Sequence, residues 1–152
     1  MAVYQIVKIP DVILRQQAKK VEKITPQIEK LLDNLRDTLC ATAIGVGLAA
    51  PQIGVSKRVI VIKIEEDLYQ LVNPEIIQAE GSAIDVEGCL SVPDIIGEVT
   101  RAEKVLIKAL DRQGKELEIQ ADGLLARVLQ HEIDHLEGIL FIDKAKNLRP
   151  ME

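Results

Sequence analysis

Apolar side chains at residues 28, 31, 32, 35 and 39 fall on one face at helical spacing, and this predicts a helix over residues 26–40. Thr25 is placed to cap it, and Pro26 suits its first turn. Residues 45–54 (GVGLAAPQIG) are too rich in Gly and Pro for a helix and too small-sided for a regular strand. Residues 57–64 (KRVIVIKI) read as a mostly buried strand, with residues 68–73 as its partner and Asn73-Pro74 as punctuation. Residues 82–91, bracketed by Gly81 and interrupted by Gly88, carry no clear periodicity. Residues 105–111 and 116–121 alternate about a turn at 112–115, which predicts a hairpin. A second helix is expected from a cap at Asp122 to Glu137, stopped by Gly138. Strands and hairpins between two well-marked helices imply an α+β fold rather than alternating βαβ units. No repeat or linker divides the chain, so residues 1–152 are expected to form one domain.

Composition narrows the function. The chain has 152 residues, a net charge of −5, and only Tyr4, Tyr69 and Phe141 as aromatics. The core must therefore be aliphatic, and the ring stacking of a nucleic-acid platform is not expected. The acidic balance argues equally against a broad phosphate-binding face. Residues 1–8 lack the pattern of a secretory leader, and no apolar run approaches the length of a membrane span. Two cysteines make no disulfide framework, which points to a reducing cytoplasm and leaves either cysteine free to act as a thiolate.

The only two histidines, His131 and His135, share one string, QHEIDHLEG at residues 130–138. Random placement gives two histidines four apart, with Glu directly after the first, in about 0.1% of arrangements. On a helix that spacing stacks the imidazoles one turn apart, where both can reach one metal ion. With His131 at zero on a helical wheel, Leu124, Val128, Leu125, Leu136 and Leu129 span an arc from about 20° to 160°. Glu132 lies near 100°, in the middle of that arc. A carboxylate facing an aliphatic core needs a partner or a raised pKa, and water activated by a metal beside a base meets both needs. The alternative is a core helix with two satisfied histidines and an ion-paired Glu.

Two histidines make half of a tetrahedral site, so the third ligand must be Cys40, Cys89 or a carboxylate. Cys40 follows Leu39 at the end of the first helix and reads as buried packing. Cys89 sits in EGCLS at residues 87–91, where glycine lets the backbone fold closely around a ligand. Position favours Cys89.

GVGLAAPQ at residues 45–52, EGCLS at 87–91 and QHEIDH at 130–135 occur in this order. Together they resemble the peptide deformylases, which remove the formyl group from the starting methionine of nascent polypeptides. The likeness extends to RAEKV at 101–105 and ADGLL at 121–125. It implies mixed antiparallel sheets packed around a central metal-binding helix, with an N-terminal helix. It implies Cys89, His131 and His135 as ligands of one divalent ion, with ferrous iron (Fe2+) expected in the cell and zinc, nickel or cobalt (Zn2+, Ni2+, Co2+) able to replace it. Glu132 then matches the general base and acid, while the Gln52 amide and the Leu90 backbone N–H match the groups that hold the oxyanion. Val46 and Leu124 fall where the methionine pocket is lined, Gly45 and Gly47 where backbone approaches the peptide, and Arg101 at the peptide-binding rim. The implied partner is a nascent formyl-Met polypeptide, with at most a transient contact to the ribosome.

Two features depart from the family pattern. Ile44 stands where many relatives carry an acidic residue, and the chain ends 14 residues after Gly138, short of a long C-terminal helix. Other readings fit less well. A zinc peptidase would need a third ligand after His135 and would leave Cys89 without a role. Dinucleotide binding, suggested by Gly45, Gly47, Ala50 and Glu65, would need a strand before the glycines and a helix after them. A structural metal site, or a degenerate homologue that binds formylated ends without cleaving them, would not need Glu132, Gln52 and Cys89 together.

Overall fold

The computed structural model describes residues 3–42 and 45–151, so Ile44 lies outside the described residues. Helix α1 (Pro26–Cys40) has the expected bounds, and the Thr25 side chain accepts from the Ile28 N–H. Strands β1 (Gly47–Ala49), β2 (Val59–Ile64), β3 (Asp67–Glu80), β6 (Lys104–Leu110) and β7 (Glu116–Asp122) form an antiparallel sheet in the order β1-β2-β3-β6-β7. Strands β4 (Ala83–Cys89), β5 (Val92–Arg101) and β8 (Lys146–Pro150) form a second antiparallel sheet in the order β4-β5-β8. Helix α2 (Gly123–Leu136) carries both histidines. The architecture is α+β, as expected.

Strand β2 explains the layering. Its run Val-Ile-Val-Ile has no polar interruption because both of its faces are covered. Val59 and Val61 pack with Leu31, Leu32 and Leu35 of α1, whereas Ile60 and Ile62 pack with Leu129, Ile133 and Leu136 of α2. The two helices thus lie on opposite faces of the larger sheet. Each such aliphatic side chain taken from water contributes about 2 kcal/mol, enough to fix α2 on the sheet by one face alone. Its opposite face is polar and meets the smaller sheet: Arg127 donates to the Val99 and Ala83 carbonyls and to Glu87.

Several local expectations change. Asn73-Pro74 does not end its strand: β3 continues to Glu80 across a register shift between Val72 and Glu75, with Asn73 at φ 52°. The bulge accommodates a residue that lacks an N–H to donate. Residues 45–54 do contain regular structure, the short β1 followed by a 3-10 turn over Ala50–Ile53. Cys40 is exposed rather than buried, because successive helical residues are rotated by about 100° and Cys40 cannot share the face of Leu39. Asp122 precedes α2 as expected, but its side chain makes no cap hydrogen bond. Near the C-terminal end of the described residues, β8 pairs with β5.

The loop after α2 is pinned by Asp143, which pairs with Arg15 and accepts from the Leu140 N–H. Its hydrogen bond with Arg15 holds its pKa below the ordinary value. The pair therefore stabilises the fold above the ordinary carboxylate range, and this contribution disappears as pH falls through the lowered value. Both side chains are well solvated, so Asp143→Asn is expected to cost no more than about 1 kcal/mol at pH 7. Melting curves should show the difference from wild type shrinking toward pH 3; an equal difference at both pH values would refute the ionic origin.

Candidate metal centre

Ligand atoms of Cys89, His131 and His135 all lie within 4.8 Å of one another. Helix α2 supplies the histidines from adjacent turns, and the end of β4 brings Cys89 to meet them, with its Sγ 3.3 Å from His135 Nε2. Leu90 and Ser91 turn the chain into β5, so Cys89 sits at a hairpin tip where the ladder leaves space. A thiol and two imidazoles suit a borderline or soft divalent ion.

Glu132 is 4% exposed, and its Oε1 has no hydrogen-bond partner. Burial pushes its pKa up to about 7, against the opposing influence of His131 and Arg101. Room for it is made by Gly47 of β1: a Cβ there would stand 2.7 Å from Glu132 Oε2. The middle of the apolar arc is thus occupied by a carboxyl with one oxygen that has no partner among the described residues, beside a group of metal-capable side chains. Donor chemistry and the orphaned oxygen both fit an ion bound at Cys89, His131 and His135 with activated water alongside.

The charged group behind the histidines was not legible in the sequence. Glu87 accepts from Arg101 through Nε (2.6 Å) and Nη2 (2.9 Å), from Arg127 Nη1 (2.6 Å), and from His131 Nδ1 (2.9 Å). Burial raises the Glu87 pKa, but hydrogen bonds from His131 and Arg101 outweigh it and bring it to about 2. Because a carboxylate only accepts, His131 carries its proton on Nδ1, and Nε2 is the atom turned to the ligand cluster. Burial disfavours charge on His131, yet its hydrogen bonds to Cys89 and Glu87 raise its pKa. His135 is driven well below the ordinary value by burial and by the neighbouring charges of His131 and Arg101.

Arg101 needs correction. It was expected at the peptide-binding rim but is 5% exposed, bridging Glu87 and Asp134 on the far side of the histidines. Its two carboxylate partners neutralise it there, which is the condition for burying a guanidinium. Gly45, Val46, Gly47, Gln52, Leu90 and Leu124 do line a single cleft of about 720 Å³, together with Cys89, His131 and Glu132. Gln52 is buried, with its Oε1 accepting from the Ala49 N–H at 2.9 Å. Val46 and Leu124 are partly exposed on the cleft wall, available to an apolar side chain.

An α+β architecture whose HExxH helix brings two histidines to a cysteine over a cleft points to the class of metal-dependent hydrolases. The family described as polypeptide deformylase matches residues 3–151. The peptide deformylase of Carboxydothermus hydrogenoformans is 60% identical over 148 residues, covering 97% of each chain. That of Heliobacterium modesticaldum is 51% identical over 152 residues, the full length of both chains. Among solved structures, a peptide deformylase from Legionella pneumophila superposes with a TM-score of 0.91 at 49% identity, covering 96% of this chain and 88% of its own. Another from Ehrlichia chaffeensis, solved in complex with actinonin, gives 0.92 at 38% identity, covering 97% and 91%. The chain belongs to the polypeptide deformylase family, a family of enzymes. None of the described helices is long and apolar enough to cross a membrane.

Proposed function

We infer that this chain removes the N-formyl group from the formyl-Met terminus of newly made polypeptides as they leave the ribosome, releasing formate. The observation that carries this is Glu132: a buried carboxyl whose Oε1 has no partner among the described residues, beside Cys89, His131 and His135 in a cleft with apolar walls. Family membership supports the same reaction. Cys89, His131 and His135 would hold one divalent ion, which when bound supplies Lewis acidity and makes water a nucleophile near neutral pH. Thiolate ligation would lower the net charge of that ion to +1 and suits borderline to soft metals, and the resemblance to the deformylases points to ferrous iron in the cell, with zinc, nickel or cobalt as substitutes. Two unpaired cysteines are consistent with a reducing cytoplasm.

Glu132 accepts the proton of the attacking water as its oxygen bonds to the formyl carbon. The oxyanion that develops is held by the Gln52 Nε2–H and the Leu90 N–H. As the C–N bond breaks, Glu132 returns the proton to the leaving nitrogen, giving formate and a free amine. Val46, Leu124 and Val128 shape the wall for an unbranched thioether, and Gly45 and Gly47 let substrate backbone approach. Arg101 acts through Glu87, which orients His131, and is not assigned to substrate.

The test is formate release from a formyl-Met peptide, using protein purified anaerobically with iron or loaded with nickel. Turnover is expected, along with about one metal per chain that Cys89→Ser largely loses. Absence of turnover would refute the activity, and full metal in Cys89→Ser would move the third ligand elsewhere.

A further inference from the structure

Ser91 is 0% exposed, and the roles assigned so far leave its hydroxyl without a task. Gln52 Nε2 donates to Ser91 Oγ at 3.1 Å, and the same nitrogen lies 3.6 Å from Cys89 Sγ. The other end of the amide determines this orientation. A backbone N–H can only donate, so the Ala49 N–H at 2.9 Å requires oxygen there and turns nitrogen toward Ser91 and Cys89. A primary amide has two N–H groups. Ser91 takes one in a normal hydrogen bond; the other stays on the ligand side, in a long and weak contact with sulfur.

The backbone holds the same two residues together a second time. The Val7 N–H donates to the Gln52 carbonyl at 2.7 Å, and the Ile9 N–H donates to the Ser91 carbonyl at 3.0 Å. Residues 7 and 9 therefore clamp Gln52 and Ser91, which are 39 residues apart in the chain. Such redundancy is characteristic of groups whose relative position must be held closely.

We propose that Ser91 is a positioning residue for deformylation. Its hydroxyl engages one amide hydrogen of Gln52 and thereby leaves the other aimed at the place where the formyl oxygen gains charge. This rests on the assignment of Gln52 as an oxyanion donor. Ser91 never touches substrate; without it, the Gln52 amide keeps its Oε1 anchor but loses the one at nitrogen and rotates about its last torsion.

A double-mutant cycle separates the two ideas. Ser91→Ala is expected to lower kcat about tenfold, with KM within about twofold of wild type, and to add no further loss in a Gln52→Ala background. If Gln52→Ala alone leaves kcat unchanged, the oxyanion assignment fails. If Gln52→Ala impairs turnover but Ser91→Ala adds its full loss to it, or raises KM alone, Ser91 does not act through Gln52 and the proposal is overturned. A second readout needs no turnover: by NMR, the Gln52 side-chain amide protons should exchange at least about tenfold faster in Ser91→Ala. Unchanged exchange would also overturn it. Should Ser91→Ala not fold, Ser91→Cys keeps the volume with a weaker acceptor and serves in the same comparisons.

Discussion

Glu132→Gln is expected to lower kcat for formate release about a thousandfold while leaving metal content and KM nearly unchanged. The substitution keeps the shape of the side chain, so its contacts with Gly47 and the α2–sheet interface persist. What disappears is the ability to take a proton from water and return it to the amine. Folding should not suffer. Burial already disfavours the charged carboxyl, raising its pKa to about 7, and a neutral amide removes that cost. Steady-state kinetics with metal analysis on the same preparation decides the matter. Unchanged turnover would remove Glu132 from the chemistry, and loss of metal would make it a ligand rather than a base.

Glu87→Gln is expected to have the largest effect on stability. Arg101, Arg127 and His131 all donate to this one carboxylate, whose side chain is 6% exposed. Removing its charge would leave Arg101 with only Asp134 as a counter-ion and Arg127 with none. Breaking a buried pair from one side costs about 3–5 kcal/mol, and urea denaturation at pH 7 should show a loss of this size. Metal affinity should fall about 10- to 100-fold as well, because His131 would no longer be held in one tautomer and orientation. A loss below about 1 kcal/mol with unchanged metal affinity would mean that the surrounding carbonyls and Asp134 suffice without Glu87.

The chemistry was legible where a local pattern carries it. The His131–Glu132–His135 spacing states its geometry as soon as a helix is assumed, and the arc of leucines around Glu132 already implied burial. Helix α1 and the β6–β7 hairpin were equally plain, because capping, apolar stripe and turn residues agree there. Strands β4 and β5 were not. The one buried residue of β4 is the ion-paired Glu87, and in β5 only Val92 and Val99 are buried aliphatics, in a pattern that Pro93 and Gly97 interrupt.

The residues of the chain, read in order, were enough for the fold class, the two helices and the metal-capable histidine pair of α2. They could not say which partners meet across long separations. Glu87 and His131 are 44 residues apart, and Gln52 and Ser91 are 39 apart. Arg101 shows the consequence: the family resemblance implied a peptide-binding rim, and only a second sheet folded against the polar face of α2 places it in the interior. Periodicity reports whether a side chain faces a core. Whether a charged side chain is neutralised inside one depends on carboxylates that chain order keeps far away and packing brings within 3 Å.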